Sequence, residues 1–422
     1  MGFTPDRLEK VAFIYATFPR STETFLRREL RAVHEVGLNP KLFSIWKGKK
    51  KWEGYEIQKF NILKLWTLFF WLPYWAFKKP KSFREVLSSL WSNPCPNLQN
   101  WNETFLGLGF ALVEAQNFKA QNFQLFHAVW ATMPATAAFA LSKLLDVPFS
   151  MGAHAYDLFR KGGDWLLNEK LLHAVMIRTS SKSSSRRLFE IGFDDKKVKV
   201  IKRGLDYWPR RKSMALSKPK YLKLITIGRL VEKKGYPYLF EILYLLDQRK
   251  ACGFEMTIVG DGPLINELVS QVFLLGLSDK IKFVGYKSEM EVAKLFLESD
   301  AKLFTGIIAS NGDRDGVPNV IPEAMSCGCL VLSSIYAGAS EAFIDGISGF
   351  SLNPQNPVSW VEVLEKFADT PEKFSKIRKR AVSHAKEQFD VRNTAISMIK
   401  EMNNCLAFET KKTFSQHHNF SF

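Results

Sequence analysis

The sequence predicts an α/β fold of two Rossmann-like, doubly wound parallel-sheet domains, and three observations carry that prediction. The 422-residue length exceeds what one hydrophobic core serves and suits two domains of ordinary size. Short β-branched or aromatic runs alternate with longer helical patterns, which is the signature of βαβ units. The alternation pauses once, near the middle of the chain, in a polar basic stretch, and then begins again.

In chain order, the first series of strand candidates is Val11 to Thr17, Leu42 to Ile45, Leu125 to Ala128, Phe149 to Ala153, Val175 to Arg178 and Val198 to Ile201. Helical patterns fall between them at Thr24 to Val36, Pro134 to Leu145 and Ser183 to Ile191. After Gly204-Leu-Asp206 come Pro209, Arg210, Arg211, Lys212 and Pro219, a linker composition. The second series is Leu224 to Ile227, Met256 to Val259, Ile281 to Val284, Ala301 to Phe304 and Leu330 to Ser333, with helices from Tyr238, Pro263, Ser288 and Val320. Helical segments near Val358 to Phe367, Pro371 to Phe389 and Thr394 to Ala407 close the pattern. The expected domains are therefore residues 1–206 and 207–389, followed by a helix at 390–408 and a frayed tail at 409–422 that carries Phe414, Phe420 and Phe422.

Composition narrows the class. Hydrophobic residues at 46% with 24% charged describe a globular chain without a disordered arm. The five cysteines (Cys95, Cys252, Cys327, Cys329, Cys405) are scattered and lack zinc-site spacing, so reduced thiols and a cytoplasmic location are expected. No leader is read at the start, because Val11 to Ala16 has only the length of a strand. The net charge of +17 is uneven: residues 1–206 hold 31 Lys/Arg against 18 Asp/Glu, and residues 207–422 hold 28 against 24. Charge alone leaves nucleic acid, an anionic membrane surface and a phosphorylated substrate open. The segment Leu65 to Phe77 is apolar and aromatic and is bordered by Lys64, Lys78, Lys79 and Lys81. It is shorter than the ~20 residues a spanning helix needs, which leaves two readings: a segment lying among lipid headgroups, or a buried helix or loop covering the first domain's sheet.

Chemistry concentrates where strands end. Leu224 to Ile227 runs into Gly228-Arg-Leu-Val-Glu-Lys-Lys-Gly235, past the carboxyl end of a buried strand, where ligands bind in open α/β sheets. Arg229 offers a planar fork of donors and Lys234 a mobile point charge, a pair suited to a diphosphate. Alone, the segment would read as a solvated turn. Downstream, Gly312-Asp-Arg-Asp-Gly-Val-Pro-Asn-Val-Ile-Pro-Glu-Ala-Met-Ser-Cys-Gly328 leads through Pro318 into a short helix whose start suits an anion. Asp315 on the loop and Glu323 on the helix are carboxylates able to accept hydrogen bonds from sugar or ribose hydroxyls.

Residues 224–350 resemble the donor domain of glycosyltransferase family 4, whose fold is the two-domain GT-B arrangement with the domains facing each other across a cleft. The matching pieces are Gly228-Arg-Leu with Lys234-Gly235, Val259-Gly-Asp-Gly-Pro263, Phe283-Val-Gly285, Asp315 through Glu323-Ala-Met, Cys327-Gly328, Ala337-Gly-Ala-Ser-Glu341 and Asp345-Gly346. The resemblance implies that Arg229 and Lys234 bind the donor diphosphate, Glu323 the ribose hydroxyls, and Asp315 with the amides of Gly316 and Val317 the transferred sugar. The family usually has Glu where this chain has Asp315.

The first half is similar, more loosely, to the bacterial exopolysaccharide and colanic-acid-type branch of that family. Phe18-Pro-Arg-Ser-Thr-Glu-Thr-Phe25 is similar to its acceptor-side opening loop, although Ser21, Thr22 and Glu23 are equally good helix starters. Phe149-Ser-Met-Gly-Ala-His-Ala-Tyr-Asp157 resembles its strand-end His segment, which puts His154 beside the transferred sugar with Asp157 close by. A lone His is more often structural, but a strand-end position favours function. Lys182 and Arg203 are secondary phosphate or acceptor candidates better explained as surface charge, and strand-end His127 is ranked with them.

The resemblance implies a retaining glycosyltransferase moving a hexose-type sugar from a nucleotide-diphosphate sugar to a saccharide or lipid-linked saccharide in surface polysaccharide synthesis. His154, Asp315, Arg229 and Lys234 would form the catalytic set. No metal or other cofactor is expected, since no cluster has metal-ligand spacing, and no nucleic-acid module is recognisable. The expected location is cytoplasmic, peripheral on the inner face of the cytoplasmic membrane, with the closing helix crossing back to the first domain. The competing readings are a GT-B phosphorylase or epimerase and a nonenzymatic basic protein bound to membrane or nucleic acid.

Overall fold

The computed structural model describes residues 8–91, 94–161, 163–209, 221–336 and 338–418, with side chains as far as residue 408. Linker residues Arg210, Arg211, Lys212 and Pro219, the motif residue Ala337, and the tail residues Phe420 and Phe422 lie outside the described residues, as does the Phe414 side chain. Two compact units result: residues 1–180, 184–201 and 392–422 form the first, and residues 181–183 and 202–391 the second.

The first unit holds an eight-stranded sheet: β1 (Val11–Phe18), β2 (Lys41–Gly48), β3 (Lys51–Trp52), β4 (Tyr55–Lys59), β5 (Leu125–Ala128), β6 (Phe149–Gly152), β7 (Met176–Thr179) and β8 (Val198–Val200), in the order β3-β4-β2-β1-β5-β6-β7-β8. All pairings are parallel except the β3–β4 hairpin. The central strands β1, β5, β6 and β7 are almost wholly buried because helices cover the sheet. Phe126, Phe149 and Met151 pack with helix Met133–Leu145, which Pro134 starts and left-handed Asp146 ends, and with helix Leu98–Gln121. In β7, Arg178 is buried and pairs with Glu29 of helix Thr24–Glu35 at 2.6 Å.

The segment Leu65 to Phe77 settles into neither of its two sequence readings alone. It forms a 3-10 turn (Ile62–Thr67) running into helix Leu68–Lys78; Leu65, Leu68 and Trp71 pack on the core and Trp75 is buried, while much of the rest is exposed.

The second unit is all parallel: β9 (Tyr221–Ile227), β10 (Gly253–Val259), β11 (Ile281–Phe283), β12 (Ala301–Phe304), β13 (Leu330–Ser334) and β14 (Phe350–Leu352), ordered β11-β10-β9-β12-β13-β14. This is the doubly wound order, whose winding reverses between β9 and β12. Helices Tyr236–Arg249 and Pro357–Asp369 cover one face around Leu239, Leu243 and Trp360, and helices Val320–Ser326 and Pro371–Gln388 the other around Met325 and Ala381.

The last helix, Val391–His418, starts in the second unit, where the Val391 N–H donates to the Leu205 carbonyl at 3.0 Å. From Arg392 it belongs to the first unit. There Met398 accepts from Arg178, Glu401 pairs with Lys199 at 3.3 Å, and the Asn403 side chain accepts from the Leu8 N–H at 3.0 Å.

Candidate active site

In the second unit the winding reversal leaves the loops after β9 and β12 at the carboxyl ends of neighbouring strands. The β9 loop is held through its backbone groups. Gly228 donates to the Val259 carbonyl at 3.0 Å and Leu230 to that of Asp261 at 2.9 Å. Gly260 has φ +132°, and a Cβ there would lie 2.0 Å from the Gly228 oxygen. The Tyr236 hydroxyl also donates to the Gly228 carbonyl, at 3.0 Å. Residues 228–230 are thereby fixed while the Arg229 side chain remains exposed.

The following turn, Glu232–Lys234, is stitched to the loop after β12. Ser310 donates through its N–H and hydroxyl to the Glu232 carboxylate at 2.7 and 2.9 Å, and the Ile307 N–H donates to the Lys233 carbonyl at 2.9 Å. Left-handed Gly235 ends the turn so close to the Thr305 carbonyl that a side chain is excluded. The result brings two ammonium groups onto two carboxylates: Lys234 Nζ lies 2.6 Å from Asp315, and Lys233 Nζ lies 3.0 Å from Asp313 and 3.4 Å from Asp315. Burial works to raise the Asp315 pKa, but the charges of Lys234 and Lys233 outweigh it and hold the carboxyl below its usual range. For Lys233 burial pulls downward, and Asp315 and Asp313 more than offset it, leaving the ammonium above its usual value.

Sequence reasoning passed over two members of this cluster. Lys233 was masked by its neighbour. Lys302, in the middle of β12, is wholly buried and donates to Thr226 Oγ1 at 3.1 Å and to the Leu303 carbonyl at 2.9 Å. Burial first, and then the charge of Lys234, drive its pKa well down, against weaker opposing effects that include Glu323 and Asp315. Lys234 and Asp315 are in direct contact at 2.6 Å, and the charge of Glu323 also acts on Lys302. Glu323 stands half-buried on the first turn of helix Val320–Ser326, and Gly316 and Val317 are half-buried beside it in sequence. Lys234, expected as a mobile charge, is instead clamped on Asp315.

In the first unit the corresponding reversal lies between β1 and β5. Ser21 and Thr22 are exposed on the loop after β1, and Glu23 pairs with Arg20 at 3.4 Å. Trp130, which the sequence did not single out, sits after β5 with Phe25 perpendicular to it at 6.0 Å and the His154 ring edge-on at 5.3 Å. It links the Ser21–Glu23 loop to the His segment. His154 is buried with its ring over Gly152, where a Cβ would approach Nε2 to 3.0 Å and the Val129 carbonyl to 2.4 Å. Asp157 accepts from the His154 backbone N–H at 3.1 Å.

Burial, reinforced by Asp164, pushes the Asp157 carboxyl up to about 7, although backbone N–H groups of His154 and Ala131 and the charge of Lys170 pull the other way. Lys170 is itself buried in an ion pair with Asp164. A carboxyl raised on folding contributes stability that is whole below its unperturbed value of 3.8 and is lost as pH rises through about 7. Replacing Asp157 by Asn should remove that slope. The stability gap between wild type and Asp157→Asn, followed by thermal melting from about pH 5 to pH 8, should move against the wild type as pH rises; a constant gap would assign the titration elsewhere.

Two secondary candidates are corrected. Arg203 is buried, so it is no surface charge. His127 is in the core, its Nδ1 2.9 Å from Ser150 Oγ and its ring against Phe13. Lys182 has an exposed side chain, and its backbone N–H donates to Glu341 at 2.6 Å.

Residues 210–387 match the family described as "Glycosyl transferases group 1". The amylovoran biosynthesis glycosyltransferase AmsK of Erwinia amylovora is 32% identical over 174 residues, 40% of this chain and 42% of that protein, so the match spans less than half of AmsK. The putative colanic acid biosynthesis glycosyltransferase WcaL of Salmonella typhimurium is 26% identical over 370 residues, 82% of this chain and 87% of that one. Among solved structures, HepE of Anabaena in complex with UDP and glucose aligns with a TM-score of 0.67 at 17% identity, over 94% of this chain and 100% of the other. That likeness shows the fold, GT-B with two parallel-sheet α/β domains. Residues 210–387 are a glycosyl transferases group 1 domain, and over 82% of its length the chain is similar to a glycosyltransferase named for colanic acid biosynthesis.

Proposed function

We propose that this glycosyltransferase moves a hexose-type sugar from a nucleotide-diphosphate sugar to a hydroxyl of a saccharide or lipid-linked saccharide, with retention as in family 4, during assembly of a surface exopolysaccharide. The observation that carries the reading is the ammonium pair of Lys233 and Lys234 on Asp315 at the β9–β12 reversal. The relatives named for amylovoran and colanic acid biosynthesis support the polysaccharide, and UDP with glucose in HepE supports the donor class.

The chemistry follows from charge. As the bond from the anomeric carbon to the diphosphate breaks, negative charge grows on the leaving oxygen. Arg229 and Lys234 are assigned to that charge, which fixed cations stabilise without reorganising. The second lysine has a part in this. When Lys234 turns from Asp315 to phosphate, Lys233 remains within 3.4 Å of the carboxylate and keeps it ionised. Asp315 and the amides of Gly316 and Val317 are assigned to the transferred sugar, and Glu323 to the ribose hydroxyls. His154, Asp157, Ser21, Thr22 and Glu23 are assigned to the acceptor side. The reading needs no metal, because lysine and arginine supply the countercharge, and it includes a peripheral location on the inner face of the cytoplasmic membrane.

Thermal stability with UDP, GDP and ADP tests the donor site. A nucleotide at a hundred times its Kd adds about 2.7 kcal/mol to the native state, so the cognate one should raise Tm by several degrees and Glu323→Ala should abolish most of that rise. No rise with any of the three would remove the donor site from this reading. The anomeric configuration of the product, followed by NMR, tests retention.

A further inference from the structure

Helix Leu68–Lys78 is apolar on both sides, a composition that belongs inside a protein, yet only one side is covered. The inner side is anchored on helix Leu98–Gln121. The Trp75 indole N–H donates to the Leu112 carbonyl at 2.9 Å, Lys64 pairs with Glu114 at 2.7 Å, and Gln116 donates to the Tyr74 hydroxyl at 2.7 Å. Gly109 admits Leu65 so closely that a Cβ would lie 2.6 Å from its Cδ2. The outer side carries Trp66, Phe69, Phe70 and Phe77, which are 71, 79, 59 and 90% exposed. Their spacing, with Pro73 between, places them on one face. An exposed cluster of rings this large marks an interaction site, and the anchored inner side leaves the helix no route to bury them in its own core.

Charge identifies the partner. Residues 57–84 contain six cations (Lys59, Lys64, Lys78, Lys79, Lys81 and Arg84) and no Asp or Glu. Of the acids on neighbouring elements, Glu114 is taken up by Lys64, Asp146 by Lys79, and Glu85 by Lys143. A second copy docked face to face would set this basic collar against itself, since a two-fold contact joins the same surface patch of both copies. An anionic lipid surface meets the same collar with attraction and takes aromatic rings at its headgroup boundary. Spanning is excluded for this segment, because no helix among the described residues is long and apolar enough to cross a membrane.

We propose that Ile62–Lys78 is a monotopic anchor: Trp66, Phe69, Phe70 and Phe77 enter the headgroup–acyl boundary of an anionic bilayer while Lys78 and Lys81 lie at the lipid phosphates. This deepens the membrane part of the function proposed above and rests on it for the choice of leaflet alone. The test is sedimentation of the full chain with phosphatidylcholine vesicles and with vesicles that also contain phosphatidylglycerol, at low and high salt. The chain should sediment with the anionic vesicles at low salt. The double variant Phe69→Glu/Phe77→Glu should lower partitioning by about tenfold or more, and Lys78→Gln and Lys81→Gln by about fivefold each. The aromatic variant should retain the far-UV circular dichroism spectrum and the nucleotide-induced Tm rise, showing that it is folded. Wild-type chain left in the supernatant, binding indifferent to the aromatic variant, or a dimer that the variant splits would each overturn the anchor. Vesicle binding without any nucleotide response would overturn the donor reading and leave the anchor standing.

Discussion

Lys234→Ala is expected to lower kcat by about 100- to 1,000-fold, the range seen when one fixed group stabilising a developing charge is lost. KM for the donor should change less, because the charge on the leaving oxygen grows after binding. Release of nucleoside diphosphate from the working donor measures both. Lys234→Met should behave the same way. It keeps the aliphatic stem that runs over Gly228, where Lys234 Cδ and Cε lie within 3.4 Å of a would-be Cβ, and it removes only the charge. The two variants thus separate electrostatics from packing, and a normal kcat in both would end the assignment of Lys234 to the diphosphate. A pH profile gives an independent reading. Burial presses the Asp315 carboxyl upward and Lys234 is the first of the charges that hold it down, so either variant should move the acidic limb of the profile to higher pH.

Gly260→Ala is expected to be among the most damaging single-methyl additions in the second unit. Its backbone is left-handed at φ +132°, and the new Cβ would sit 2.0 Å from the Gly228 oxygen. Either the loop after β10 withdraws or the Gly228 loop moves. The loss should be about 3 kcal/mol or more, in the range of strain compounded with a steric clash. Gly276→Ala provides the comparison: φ is +68° and nothing lies within 4 Å of the added carbon, so only the left-handed backbone term of about 1–2 kcal/mol applies. Urea midpoints of the two variants should differ clearly. Equal midpoints would show that the Gly260 contact relaxes without loss.

Where the sequence was legible, backbone chemistry was expressed as periodicity. The buried parallel strands and the helices after them fall near their expected positions, with β12 at Ala301–Phe304 as read. Several elements escaped, among them β14 and helices Pro80–Ser89 and Leu167–His173, and two are instructive. The β3–β4 hairpin turns through Glu53 and Gly54, both at positive φ, and Glu is a poor advertisement for a turn that Asn or Asp usually announces. The 24-residue helix Leu98–Gln121 lacks a clear polar stripe and contains Gly107 and Gly109, which read as breakers. They are instead points of close approach: a Cβ on Gly107 would meet the Met133 carbonyl at 2.7 Å, and Gly109 receives Leu65. In the site, Arg229, Lys234, Asp315 and Glu323 stood out because they follow strands or lie in the first turn of a helix. Lys302 and Trp130 did not, because a lysine in an apolar strand and a tryptophan in a loop acquire meaning only from what is folded around them.

The closing helix sets an order of events during synthesis. Met398, Glu401 and Asn403 complete contacts with Arg178, Lys199 and Leu8, so a ribosome must translate the whole second unit before the first can be finished. Residues 202–391, by contrast, are nearly continuous in sequence and can reach their native sheet while the earlier half waits. With domains folding as units as they emerge, the half made first is the half completed last, and its incomplete surface is what a nascent-chain chaperone would meet.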